Sequence, residues 1–167
     1  MPVPVPVRVA ILVAALAALT GAYRWWNDPA RHVHRLLSDV ASALSHDGAE
    51  NELRAIAALA SLQTHLAPDI AIDVSGTSAP LRGRQDVISM AARFRASSPM
   101  MRVQFFDPDI QIGDDASATT RVTVQVTTRG AGGDEVAAAH IVAIALVWVE
   151  GRWQVASARV LPEATAL

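Results

Sequence analysis

The feature that most restricts the fold is a change of period at Pro99. Before it, apolar residues recur every three to four positions; after it they recur every two, through ATTRVTVQVTT (118–128), EVAAAHIVAIALVWV (135–149) and RWQVASARV (152–160). Side chains alternate between the faces of a strand, so this stretch predicts strands. The joints between them are Gly113 to Ser117, the glycine-rich RGAGGDE and the dipeptide Glu150-Gly151. Connections this short force neighbouring strands to run antiparallel. An extended segment at 101–112 precedes them and contains Asp107-Pro108. Proline offers no N–H to a ladder, so a break or bulge is expected there. In 135–149 both alternating sets are apolar, which predicts a central strand covered on both sides, by helices and a cavity or by a partner subunit.

Upstream, Asn27-Asp28-Pro29 has the form of a helix start, with Asp28 as N-cap and Pro29 at the first helical position. Val33, Leu36, Leu37, Val40 and Leu44 follow on one face, and the helix is expected to stop near His46-Asp47-Gly48. A second helix begins around Glu50 and carries Leu53, Ile56, Leu59, Leu62 and Leu66 before Pro68 closes it. The alternating DIAIDV (69–74) predicts a strand, and a loop through Pro80 and Gly83 leads to a third helix over 84–96 with Val87, Ile88, Ala91 and Phe94 as its apolar stripe. Helices early and a strand meander late define an α+β class, an antiparallel sheet packed on one face by three helices.

Residues 1–26 stand apart from this plan. They hold only Arg8 and Arg24 as charges, around an uncharged run from Val9 to Tyr23, with Trp25 and Trp26 just beyond. Arginines that snorkel and aromatic residues at an interface let such a run serve as a transmembrane signal anchor. A cleaved signal peptide with Thr20 and Ala22 near the peptidase site is the competing reading. Either way, residues 27–167 form the folded domain, outside the cytoplasmic membrane in a bacterium, anchored or secreted. That part holds 12 of the 14 basic residues, all arginine, and all 16 acids, a net charge opposite to that of a nucleic-acid binder. No cysteine is present, which excludes disulfides and thiolate chemistry.

The succession ELRAIAALASLQTHLAPDIAIDV, PLRGRQDVISMAARF and LVWVEGRWQVASARV resembles the nuclear transport factor 2-like (NTF2-like, cystatin-like) superfamily, in particular its SnoaL-like and ketosteroid-isomerase-like branch, over about residues 30–161. The resemblance implies a cone: three helices held in a strongly curved antiparallel sheet, with a cavity between them. It also implies a range of functions, since this cone serves isomerases, dehydratases and non-catalytic adaptors. Homodimers are common among such domains, and the contact is expected close to strand 135–149.

In the ketosteroid-isomerase-like pattern a catalytic aspartate sits on the strand after the second helix and moves a proton beside a carbonyl. Here the best match puts Val74 at that position and Asp73 one residue before it, on the opposite face. The first helix has no tyrosine and the strand near 143–148 no acid with which to complete an oxyanion hole. Asp73 is therefore a candidate base or else a strand-end carboxylate. His140, in the apolar strand, is a candidate buried base, ligand contact or hydrogen-bonded core residue. Its expected partners are Arg121 and Gln125 on one neighbouring strand and Gln154, Ser157 and Arg159 on the other; together these are the candidate pocket residues. Neither a metal site nor a cofactor is implied: His32 and His34 are two apart on a helix and do not share a face. Arg82 and Arg84 flank the start of the third helix, Arg93, Arg95 and Arg102 form a modest basic cluster, and Trp148 and Trp153 are placed for a cross-strand contact. With the acid–base set incomplete, the expected function is a non-catalytic, membrane-tethered binding or scaffold domain for a protein or small apolar ligand. The alternative is a SnoaL-like isomerase, dehydratase or hydrolase acting on an apolar substrate in the cavity.

Overall fold

The computed structural model describes residues 28–48, 51–74, 79–130 and 133–162. Helix α1 (Pro29–Leu44) starts as expected, the Asp28 carboxylate accepting a hydrogen bond from Ala30 N at 3.1 Å. It buries Val33, Leu36, Leu37, Val40 and Ala43. Strand β1 (His46–Asp47) follows, then α2 (Glu52–His65), capped by Asn51, whose side chain accepts from Arg54 N at 2.9 Å. Strand β2 (Leu66–Asp73), the short β3 (Leu81–Arg82) and α3 (Arg84–Ser97) complete the first half. The meander is β4 (Met100–Ile112), β5 (Ser117–Arg129), β6 (Glu135–Val149) and β7 (Arg152–Val160).

These strands form one sheet in the order β1-β4-β5-β6-β7-β2-β3. The α+β class with three helices holds, but the sheet is mixed: β2 runs parallel to β7 while the other pairs are antiparallel. Turn length specifies pairing only between consecutive strands, and β2 meets β7 across most of the chain. The expected irregularity in β4 lies between Phe106 and Asp109, where Asp107 adopts a φ of 49°, a conformation aspartate tolerates better than most residues.

The inner face of the sheet is built from Val103, Ala118, Val122, Ile144, Leu146 and Val155, and packs on α1, Leu62 of α2 and Val87 and Ala91 of α3. The stripe expected on α2 is mostly unburied: Leu53 is 76% and Ile56 58% exposed. A helix periodicity marks a face without stating whether anything covers it. The same holds for β6. It is central, between β5 and β7, yet residues 135–141 are exposed on both faces, and Ile144 and Leu146 are its buried residues. Helices reach only the second half of the strand.

The end of α1 is stitched to the start of β4 by polar contacts. Ser45 Oγ donates to Ala41 O at 2.7 Å and accepts from Val103 N at 2.9 Å, and His46 Nε2 lies 2.8 Å from Ser98 O. Arg95, 8% exposed, reaches from α3 to donate to Ala43 O at 2.8 Å and Ser45 O at 3.3 Å. Gly48 then passes so close to β4 that a Cβ there would sit 2.5 Å from Pro99 O. The expected helix at residues 1–26 lies outside the described residues. Among the described residues no helix is long and apolar enough to cross a membrane.

Candidate functional site

Between the helices and the inner sheet face lies a cavity of about 430 Å³, within the range of small-molecule sites. Alternation along the strands, reset in β7 by the irregularity opposite Ala145 and Leu146, creates its floor: Val124 of β5, Val142 and Ile144 of β6, and Val155, Ala158 and Val160 of β7 all point to the helix side. Leu37, Val40 and Leu44 of α1, spaced for one helix face, form a wall, and Ile70 and Ile72 of β2 close another. The mouth is framed by Val74, Met90 and Phe94, the last 55% exposed although the sequence pattern put it in the core stripe. Such residues carry no signal that separates a lip from a core. Among the described lining residues Asp73 is the ionisable one.

Asp73 stands at the rim. Its strand neighbour Ile72 pairs with Ala158, and both line the cavity; Asp73 pairs with Arg159 one step on, where alternation turns side chains outward. Its carboxylate lies 3.1 Å from Arg159 Nε in an exposed ion pair.

His140 is exposed rather than buried. Its register partner is Val124, so it shares the cavity face of the sheet one pleat beyond Val142. The partners expected for it do not converge there. Gln125 lies opposite Ala139, Arg121 opposite Ala143, Ser157 opposite Ala145 and Arg159 opposite Ala143, all on the outer face. Gln154, opposite Val147, is buried, and its Oε1 finds no hydrogen-bond partner. Neighbouring strands supply neighbours only in matching register, and an odd offset sends the side chains to opposite faces. The expected basic cluster is likewise dispersed, because Arg95 is spent on the end of α1. Among the described residues no three His, Asp or Glu side chains gather as a metal site would require. The Trp148–Trp153 contact is present, edge to face with centroids 5.3 Å apart, and His32 of α1 joins it at 6.3 Å from Trp148.

Layered helices on a seven-stranded sheet around an apolar cavity define a small-molecule cavity fold. The family model for the SnoaL-like domain matches residues 33–159, and the chain belongs to that family. No curated protein matches the sequence. Among solved structures, the chain is similar to an NTF2-like protein with a cystatin-like fold from Novosphingobium aromaticivorans, at 13% identity and a TM-score of 0.67, covering 90% of this chain and 92% of that one. It is also similar to ActVI-ORFA from Streptomyces coelicolor, at 16% identity and a TM-score of 0.62, over 80% and 96% of the two chains. A third is a hexachlorocyclohexane dehydrochlorinase, LinA type 2, at 10% identity and a TM-score of 0.64, over 80% and 84%. Identities this low speak for the fold, which is one capable of ligand binding or small-molecule chemistry.

Proposed function

We propose that this chain takes up a small, uncharged apolar molecule in the cavity, entering past Val74, Met90 and Phe94. The observation that carries this reading is the wall itself, apolar throughout its described lining except at the rim. Apolar surface removed from water supplies about 25 cal/mol per Å², while a charged group would lose its hydration there without a partner. In this reading the sheet and helices enclose the ligand as a cone, and residues 1–26 tether the domain to the outer side of a membrane. Titration with N-phenyl-1-naphthylamine, a neutral fluorophore of three aromatic rings, tests it. Saturable binding that is lost in Ala158→Leu, a substitution that fills the floor from a partly buried position beside the core, in a variant that keeps the native far-UV circular dichroism, supports the reading; binding unchanged by that substitution refutes it.

A second reading, proton transfer on the bound molecule, is supported by Asp73 at the rim and by the similarity to a dehydrochlorinase, whose name describes removal of hydrogen chloride from a small apolar ring. Asp73 would have to leave Arg159 to act as the base. Uptake of deuterium from D₂O into a bound cyclic ketone, lost in Asp73→Asn, supports this reading. Binding without exchange leaves the cavity a binding site.

The exposed half of β6, with Val136, Ile141 and the alanines between them, is the surface we assign to a homodimer, because an open sheet face of this kind favours a self-complementary partner.

A further inference from the structure

The far end of the domain, away from the cavity mouth, carries a second apolar feature that ligand binding leaves unused. A groove of about 340 Å³ is lined by Pro29, His32, Ile112, Ala116, Trp148 and Trp153. Ile112 and Trp148 stand in water, 41% and 39% exposed, over the edge-to-face tryptophan pair. Both stand on the inner sheet face, Ile112 opposite Ala118 and Trp148 in line with Ile144 and Leu146, but beyond the buried cluster: Trp148 packs edge to face on Trp153 and His32, and the rest of its surface, like that of Ile112, stays open.

The chain geometry says what lies next to this groove. Pro29, the first residue of α1, is part of its wall. Between it and Tyr23, the last residue of the expected anchor run, stand Arg24 to Asp28. Fully extended, those steps reach at most about 20 Å, and the interfacial layer on each side of a bilayer occupies roughly 5–8 Å of that. The groove is therefore held beside the headgroups of any bilayer the anchor enters.

We propose that this end of the domain, with Ile112 and Trp148 foremost, rests on the lipid surface at the root of the tether; the proposal depends on the anchored reading of residues 1–26. The chemistry of the groove fits an interface. Indole combines a large apolar body with one polar N–H and concentrates at the boundary between headgroups and hydrocarbon. Arg31 lies 3.8 Å from Asp28 and Arg152 3.9 Å from Glu150, and Asp114 and Asp115 in the turn between Gly113 and Ala116 add two exposed carboxylates, so the contact is apolar and draws nothing from anionic lipid. One consequence follows for the cavity. Val74 at the mouth follows Asp73, whose partner Arg159 pairs with Ala143, five strand positions or about 17 Å from Trp148 at 3.3 Å per residue, so the mouth lies at the end of the sheet away from the bilayer and draws its ligand from the aqueous side.

The absence of cysteine allows single-site spin labelling of the full chain. Ile112→Cys at the groove and Asp47→Cys, exposed beside Met100 at the other end of β4, are labelled separately and reconstituted into phosphatidylcholine vesicles, and collisions with oxygen, which partitions into lipid, are compared with collisions with a water-soluble nickel chelate. The ratio of oxygen to nickel collisions is expected to be severalfold higher at 112 than at 47. Equal ratios in protein that floats with the vesicles overturn the proposal and leave the tether standing. Protein that does not float overturns both. Protection of position 112 from both reagents means that protein, not lipid, covers the groove, and also overturns it.

Discussion

Arg95→Met isolates the contact that closes α1. The last carbonyls of a helix have no partner inside it, and here the buried guanidinium donates to those of Ala43 and Ser45 at 2.8 and 3.3 Å. Methionine fills much of the same space and leaves both carbonyls without that donor, at about 1–3 kcal/mol each for a buried acceptor, and it removes a favourable positive charge from the negative end of the helix dipole, about 0.3–1 kcal/mol. Against this, methionine avoids the cost of holding a charge out of water, which offsets part of the loss. The net expectation is a destabilisation of about 3 kcal/mol, or a Tm lower by roughly 6–12 °C for a chain of this size. Arg95→Lys keeps the charge and a nitrogen with three donors, as the single Nη1 serves both carbonyls here, but its stem is shorter, so it should lose about half as much. Urea unfolding of the full chain in mild detergent, followed by far-UV circular dichroism, measures both. A methionine variant as stable as the native protein, or more so, would show that burial of the guanidinium costs as much as its hydrogen bonds return, and the argument for a structural role would fail.

Gly48→Ala should destabilise by about 1–3 kcal/mol, since its Cβ would press on the Pro99 carbonyl at 2.5 Å and either β1 or β4 must move; a neutral result in the same unfolding assay refutes the close approach. Phe94→Ala, at the exposed mouth, should change stability by no more than about 0.5 kcal/mol yet weaken naphthylamine binding, so equal affinity would remove Phe94 from the lip. Ile141→Arg should convert a dimer to a monomer in sedimentation runs in detergent, and a native protein already monomeric at micromolar concentration contradicts the interface. A chain beginning at Asp28 should unfold in one cooperative thermal transition, because the helices and sheet already bury one another's faces; loss of that transition would mean that the first residues belong to the core.

Local chemistry made much of this protein legible in its sequence. Asp28-Pro29 starts α1, period-two runs bounded by short turns define β6 and β7 at the very residues expected, Asp107-Pro108 marks the irregularity in β4, and the two tryptophans flanking Glu150-Gly151 meet. Each of these depends on neighbours within a few positions or across one tight turn. Tertiary structure alone decided the parallel pairing of β2 with β7, the open half of β6, the exposure of Leu53, Ile56 and Phe94, and the use of Arg95 inside the fold. It also decided the candidate site. Asp73 and Arg159 are a pair because two strands distant in sequence share a register, and His140 is separated from Gln125 and Arg121 because an odd offset along a strand reverses the face. Alternation tells which residues share a face; only the packing of distant elements determines which face is covered, which is left open, and which encloses a cavity.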